Sequence, residues 1–327
     1  MLNPSWVRMT AATLFALLFA PLLNAQQDGP LFLVPIPPDI TARNVNIWSE
    51  GTRMSGTVFT SNAVQGEKLP AILMAHGWGG TASALRRDAI GFAKAGYLVV
   101  TFDYRGWGES DSRIIPAKPT VQRAAGNNRI FSTEVVEVRE VVDPIDMLTD
   151  WQNALHWLHG EPRVDTSRIG VWGSSQSGGF VAELATRDRR IKVVYSQVGA
   201  FDGRELGRTP EANSDATRRA RGEIGYPEPG VRVLGNLRGA PIYARFANYA
   251  PVEHINDAGN IPIRIVVAEK EELFDNDQHG ILAYQRYQGP KDLVIVPGIS
   301  HYGVYMQAWP QAHRLALEWF DRYLKQP

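Results

Sequence analysis

Short, continuous apolar runs alternate with amphipathic stretches through most of the chain. The runs read PAILMA, YLVVTF, RIGVWG, IKVVYSQ, PIRIVVAE and KDLVIVPG. The stretches between them, such as SALRRDAIGFAKA, and the last segment at about 309–325 carry apolar residues at helical spacing. A strand covered by helices on both faces is apolar along its whole length. The pattern therefore predicts an α/β fold with a mostly parallel central sheet flanked by helices.

Several segments depart from this rhythm. Residues 44–60 alternate polar and apolar side chains, which predicts an antiparallel hairpin at a sheet edge. Residues 114–133 are expected to be irregular, and the apolar spacing of residues 134–160 predicts a helix that Pro144 kinks or restarts. Residues 203–258 are rich in Arg, Gly, Pro and Asn, and we expect them to form a small cap insertion over the sheet.

Composition narrows the classes of function. The 327 residues are 44% hydrophobic and 21% charged, which suits one large domain with a sizeable core. Lys and Arg together number 34, as do Asp and Glu, and this zero net charge speaks against a nucleic-acid binder. The chain has no cysteine, so disulfides, a thiol nucleophile and cysteine-based metal sites are excluded.

The first 25 residues have the pattern of a secretory signal peptide. Arg8 precedes the apolar run MTAATLFALLFAPLL, and Asn24 and Ala25 follow it. The pattern predicts cleavage after Ala25 and an exported domain, periplasmic or secreted, over residues 26–327. The alternative is a membrane anchor, but the run is shorter than the roughly 20 residues of a spanning helix and contains Pro21. No other stretch is long enough to span a bilayer.

A candidate nucleophile lies in the sequence GSSQSGG at 173–179, between a predicted strand and a predicted helix. A serine on such a sharp turn projects above the sheet, beside the N-terminus of the helix. The turn requires small residues two positions before and two positions after the nucleophile, and Gly173 and Ser177 meet this requirement around Ser175. A second register would make Ser177 the nucleophile, but it lengthens the strand and shortens the helix.

The sequence HGWGG at 76–80 ends an apolar strand and would let the backbone approach a ligand closely. The backbone N–H groups of Trp78 and Gln176 would then face the same point and form an oxyanion hole. The alternative is an ordinary glycine turn. Trp78 and Trp107 both lie on loops expected near the site, and Trp107 is a candidate for lining the substrate pocket.

The base and the acid are expected after the last two strands. His301 follows the strand KDLVIVPG, from where its imidazole could take a proton from the serine hydroxyl. Glu271, Glu272 and Asp275 follow the strand PIRIVVAE, and the position just past the strand end favours Glu271 as the group that orients the histidine. The order Ser175, Glu271, His301 is the order of nucleophile, acid and base in α/β-hydrolases.

Taken with these motifs, the chain resembles the α/β-hydrolase fold, in particular its dienelactone-hydrolase-like and acetyl-xylan-esterase-like branch. The motifs that carry the resemblance are HGWGG, DYRGWGESD, GSSQSGG, AEKEELF and GISHYG. The resemblance implies Ser175 as nucleophile, Glu271 as acid and His301 as base, with Trp78 and Gln176 as oxyanion donors. The family more often has Asp at the acid position and Gly at position 177, and the first departure leaves the identity of the acid open.

These residues predict an exported serine hydrolase that cleaves a carboxylic ester, small or polymer-derived, through an acyl-enzyme. No cofactor, metal or nucleic-acid partner is implied, and no membrane span is expected in the mature chain. Two alternatives stay open. One is a serine peptidase of the prolyl-oligopeptidase type, and the other is a ligand-binding protein that keeps the fold without turnover.

Overall fold

The computed structural model describes residues 33–64, 68–118, 130–227 and 237–325. The predicted signal peptide, 1–25, lies outside these ranges. Within them, no helix combines the length and the apolar character needed to cross a bilayer.

The described residues form an eight-stranded central sheet. In chain order its strands are β1 (Ile40–Ser49), β2 (Thr52–Ser61), β3 (Leu69–Ala75), β4 (Leu98–Phe102), β5 (Val164–Ser174), β6 (Ile191–Gln197), β7 (Ile263–Lys270) and β8 (Lys291–Ser300). Their spatial order is β1-β2-β4-β3-β5-β6-β7-β8. The pairs of β2 with β1 and β4 are antiparallel, and every other neighbouring pair is parallel. The prediction of a mostly parallel sheet is therefore confirmed.

Helices cover both faces of this sheet. They are α1 (Arg86–Lys94), α2 (Pro144–Gly160), α3 (Gln176–Arg187), α4 (Arg204–Gly207), α5 (Pro210–Ala220), α6 (Tyr243–Phe246), α7 (Pro251–His254), α8 (Gly280–Arg286) and α9 (Trp309–Phe320). Along β3, Leu73 packs into the core beneath α2 and α3, whereas Ile72 and Met74 pack into the core beneath α1 and α9. The continuous apolar runs arise because each central strand supplies side chains to both cores.

The hairpin predicted at 44–60 is confirmed at the sheet edge. β1 and β2 pair in antiparallel register from Ile40–Ser61 to Ser49–Thr52. The two residues between them, Glu50 and Gly51, both have positive φ, at 47° and 77°. Positive φ at both positions is typical of the type I′ turn, whose twist matches that of the flanking strands.

The helix predicted over 134–160 is confirmed only from Pro144 onward, and residues 114–116 of the segment predicted as irregular belong to a strand. Arg113–Pro116 and Val135–Val138 form a two-stranded antiparallel sheet, while 119–129 lie outside the described residues. Helix α2 begins only at Pro144, where Asp143 caps it by accepting hydrogen bonds from the next amides. Consecutive β-branched valines favour a strand despite their helix-like spacing, and proline at the first helical position starts a helix rather than kinking one.

The segment predicted as a cap, 203–258, lies between β6 and β7. It contains α4, α5, α6 and α7, with residues 228–236 outside the described ranges. The first three of these short helices pack on one another, and α6 also contacts α2. The Phe246 ring stacks on Trp78 of the HGWGG loop, with 5.7 Å between ring centroids. This contact joins the segment to the loop at the end of β3.

Candidate active site

The turn between β5 and α3 holds Ser175 in an unusual backbone conformation. Its φ is 58° and its ψ is −128°, a combination that costs a non-glycine residue conformational energy. A Cβ at Gly173 would collide with the carbonyl of Ser177, and one at Gly179 would collide with the carbonyl of Ala200. Gly173 is required because the sharp turn folds back on itself, and Gly179 because helix α3 lies against the backbone that follows β6. Such a strained turn exposes a nucleophile at the end of a central strand.

The strand order brings the three predicted catalytic residues to one edge of the sheet. β5 pairs with β6, β6 with β7, and β7 with β8, all in parallel. Ser175, Glu271 and His301 each directly follow the carboxyl end of a strand, β5, β7 and β8 respectively. Lys270 and Ser300 are register partners, so the residues that follow them are neighbours.

A continuous chain of hydrogen bonds links these side chains. Nε2 of His301 lies 3.1 Å from Oγ of Ser175, and Nδ1 of His301 lies 2.9 Å from each carboxylate oxygen of Glu271. An ionised carboxylate only accepts, so Nδ1 carries a proton that it donates to Glu271. In the neutral ring Nε2 is then unprotonated and accepts from the serine hydroxyl. The side chains of His301 and Glu271 are each 2% exposed, which protects this arrangement from water.

The other two candidate acids lie close by but bind backbone amides. Glu272 accepts a hydrogen bond from the backbone N–H of His301 at 2.6 Å, and Asp275 accepts one from Asp277 N–H at 2.9 Å. Glu272 therefore anchors the backbone of His301 and not its ring. Of the three carboxylates, Glu271 is the one that contacts the imidazole.

The HGWGG loop lies directly against the serine. A Cβ added to Gly77 would stand 2.8 Å from Cβ of Ser175 and 2.9 Å from the carbonyl oxygen of Ser174. The N–H of Gln176 is the first of α3 and has no acceptor within the helix. Among the described residues, neither this N–H nor that of Trp78 has a hydrogen-bond partner. Two such donors beside a serine can stabilise an oxyanion.

The serines on either side of Ser175 are each hydrogen-bonded to a tyrosine hydroxyl. Oγ of Ser177 lies 2.8 Å from the hydroxyl of Tyr104, and Oγ of Ser174 lies 2.7 Å from that of Tyr305. Ser177 is fully buried, and its hydroxyl contacts Tyr104 rather than His301. Neither tyrosine was predicted, because each lies in a motif, DYRG or SHYGVY, that gives no indication of which serine its hydroxyl reaches.

Trp107 does not line an open pocket. Its side chain is fully buried, its Nε1 donates to the carbonyl of Val141 at 3.0 Å, and its ring lies 5.9 Å from that of His76. The expectation that Trp107 contacts substrate is therefore contradicted: its loop folds back onto the short strand Val141–Val142 and carries the indole into the core.

A second histidine near the site, His279, is not among the residues predicted from the sequence. His279 is 8% exposed, and its Nδ1 accepts a hydrogen bond from the N–H of Phe201 at 2.9 Å. The ring of Phe274 lies 4.5 Å from that of His279 and 5.7 Å from that of His301. Burial lowers the pKa of His279, although the nearby carboxylates of Asp202, Glu205 and Asp275 act in the opposite direction.

We expect His279 to make the protein less stable in mild acid. The pKa of His279 is lower in the folded state than in the unfolded state, so the unfolded state binds more protons in mild acid. The free energy of unfolding is therefore unaffected by this group above about pH 6.5 and decreases as the pH falls below it. His279→Asn keeps an acceptor for Phe201 N–H and removes the titration. Its free energy of unfolding in urea should therefore fall less between pH 7.5 and 5.5 than that of the wild type. An equal fall in both proteins would contradict this role.

Within the described ranges, no cluster of three or more His, Asp or Glu side chains has the arrangement of a metal site.

Sequence comparisons match part or most of the chain. Residues 50–210 match the X-Pro dipeptidyl-peptidase (S15) family. An uncharacterised 31.7 kDa protein of Escherichia coli is 24% identical over 314 residues, covering 84% of this chain and 97% of that protein. The quorum-quenching protein AidA of Acinetobacter baumannii is 31% identical over 135 residues, which is 41% of this chain and 36% of AidA.

Solved structures extend the likeness over most of the chain. A hypothetical protein of Pseudomonas aeruginosa superposes with a TM-score of 0.68 at 19% identity, covering 93% of this chain and 99% of that one. The acetyl xylan esterase of Paenibacillus sp. R4 superposes with a TM-score of 0.58 at 19% identity, covering 91% and 87%. The chain has the α/β-hydrolase fold, as its sheet order and the turn at Ser175 also indicate.

Proposed function

We propose that the protein is a serine hydrolase that cleaves carboxylic esters. The observation that carries this proposal is the hydrogen-bonded chain from Ser175 through His301 to Glu271, with the HGWGG loop against the serine. A serine hydroxyl is a weak nucleophile until an adjacent base removes its proton. The neutral Nε2 of His301 is that base.

The reaction proceeds in two halves. Oγ of Ser175 attacks the ester carbonyl while Nε2 of His301 takes its proton, and Glu271 stabilises the imidazolium that results. The N–H groups of Trp78 and Gln176 stabilise the oxyanion. His301 then gives its proton to the leaving alcohol, which leaves an acyl group on Ser175. A water molecule, deprotonated by His301, attacks this acyl group, and the carboxylic acid leaves as the proton returns to Ser175.

Peptide hydrolysis is the second candidate, because residues 50–210 match a family of X-Pro dipeptidyl-peptidases. Ester cleavage makes the smaller demand on the site, since an alcohol is a better leaving group than an amine. The acetyl xylan esterase among the structural relatives shows that the same fold can carry an esterase, and the ester specificity proposed for this chain needs its own test.

A substrate panel with one chromophore distinguishes the two candidates. Nitrophenyl esters of acetate, butyrate and octanoate are compared with the nitroanilides of alanine and of Ala-Pro, using the full chain. We expect kcat/KM for at least one ester to exceed that for both anilides. Turnover of the Ala-Pro anilide alone would favour the peptidase, and folded protein without turnover of any substrate would favour a binding protein.

We also propose that the protein is exported, on the basis of the N-terminal pattern that ends at Ala25. Protein purified from the periplasm or the culture medium should begin near Gln26 when its intact mass is measured. Replacing two leucines of the apolar run with arginine should keep the uncleaved chain inside the cell. A membrane-bound chain that retains Met1 would contradict the proposal and favour an anchor.

A further inference from the structure

The hydroxyl of Tyr104 joins two segments that approach Ser175 from different strands. It lies 3.2 Å from the carbonyl oxygen of His76, at the start of the HGWGG loop, and 2.8 Å from Oγ of Ser177, in the first turn of α3. Nε1 of Trp151, on α2, donates to the same hydroxyl at 2.9 Å. Tyr104 is fully buried, and burial raises the pKa of its hydroxyl well above the usual range, so it keeps its proton.

The chemistry of these groups fixes the direction of each hydrogen bond. A carbonyl oxygen only accepts and an indole N–H only donates, so Tyr104 gives its single proton to His76 and accepts from Trp151. Ser177 then donates to the remaining lone pair of the phenol oxygen. Every member of the network is satisfied in one arrangement, which makes the network rigid.

The network lies just beyond the point at which strand pairing stops. The register between β3 and β5 ends at the pair Ala75–Gly173. The next residue after Ala75 is His76, and Tyr104 hydrogen-bonds to its carbonyl. Beyond the last backbone pair of β3 and β5, the hydroxyl of Tyr104 therefore forms a hydrogen-bonded bridge between the HGWGG loop and the first turn of α3, which follows Ser175.

We propose that Tyr104 is a positioning residue that fixes the distance between the two oxyanion donors. His76 lies two residues before Trp78, and Ser177 directly follows Gln176, so the bridge ties together the segments that carry these N–H groups. This inference rests on the proposed serine-hydrolase function. Tyr104 does not touch substrate, and its effect reaches the transition state through the backbone.

The test is the variant Tyr104→Phe, with Tyr195→Phe as its matched control. Tyr195 is also fully buried, and its hydroxyl donates one hydrogen bond, to the carbonyl of Ala312 at 2.8 Å, in the core beneath α9. For the best nitrophenyl ester, Tyr104→Phe should lower kcat about 10- to 100-fold, because small displacements of oxyanion donors are costly. Its KM should stay within about twofold, since the loss falls on the transition state.

Inhibition by phenylboronic acid supplies a readout that a loss of stability alone would not change. The boronate forms a tetrahedral adduct with a serine, so its oxygens stand in for the oxyanion of the intermediate. Its Ki should rise in Tyr104→Phe by the factor by which kcat/KM falls. In Tyr195→Phe both values should stay within about twofold of the wild type.

Ser177→Ala removes the hydrogen bond between Ser177 and Tyr104 and keeps the one between Tyr104 and the carbonyl of His76. It should lower kcat about two- to tenfold with a parallel rise in Ki, and the double variant should be no worse than Tyr104→Phe alone, because both substitutions break one network. Should Tyr104→Phe not fold, the parallel change in Ser177→Ala decides the question.

An inactive, folded wild type would overturn the proposed function itself. An active wild type with Tyr104→Phe no worse than Tyr195→Phe would overturn the role of Tyr104. For an unfolded Tyr104→Phe, a Ser177→Ala variant with unchanged kcat and Ki would overturn that role as well.

Discussion

Ser175→Ala should lower ester turnover by about 10⁴- to 10⁶-fold, as loss of the nucleophile does in known serine hydrolases. The substitution removes the hydroxyl oxygen that lies 3.1 Å from Nε2 of His301, and it leaves the turn itself in place. Alanine is small enough for the same position, so the variant should fold. Initial rates with the best nitrophenyl ester, beside thermal unfolding of both proteins, measure the effect.

Ser177→Ala is the matched control, because it also removes one hydroxyl from the same turn. That hydroxyl is bonded to Tyr104 and does not contact His301, so activity should stay within about tenfold of the wild type. The reverse result, with Ser177→Ala inactive and Ser175→Ala active, would show that the nucleophile is in the other register.

Glu271→Gln should lower kcat by about 10³- to 10⁴-fold with little change in KM. The carboxylate accepts from Nδ1 of His301, which fixes the tautomer in which Nε2 can take the serine proton. A glutamine can present its amide N–H instead, which favours the wrong tautomer, and it cannot stabilise the imidazolium. Steady-state kinetics with the same ester measure both constants.

Glu272→Gln and Asp275→Asn are the controls for this substitution. Each amide retains an oxygen that can accept from the backbone N–H its carboxylate now binds, on His301 and Asp277 respectively. Both variants should remain within about tenfold of the wild-type kcat. If Glu272→Gln were inactive and Glu271→Gln active, the acid that orients His301 would be Glu272.

The central sheet and its edge hairpin could be predicted because both depend on local patterns. Runs such as AILMA are apolar throughout because they serve two cores, and the edge strand β1 alternates near its end because buried Ile47 and Ser49 are separated by exposed Trp48. The valines at 135, 138 and 142 misled the prediction because helical spacing and a run of β-branched residues coincide there. A partner strand far along the chain, Arg113–Pro116, decided the outcome, and no local pattern encodes that pairing.

In the candidate site, too, the features set by local sequence patterns could be predicted and those set by long-range contacts could not. Ser175, Glu271 and His301 follow strand ends, and the parallel order of strands then places them at one edge, so their proximity could be inferred. The contacts of Tyr104 with Ser177 and of His279 with Phe201 join segments far apart in sequence, and they depend on side-chain directions that sequence patterns do not contain. Trp107 was misplaced for the same reason, since its loop turns into the core.

Labelling with a fluorophosphonate probe tests most directly that Ser175 is an activated nucleophile. The full chain is labelled, digested with trypsin, and the peptide from Ile169 to Arg187 is fragmented to locate the adduct among its serines. The account predicts stoichiometric labelling on Ser175, no labelling of Ser175→Ala, and much slower labelling of Glu271→Gln at an unchanged site. Folded wild-type protein that takes up no probe, or that carries it on Ser177, would contradict the account.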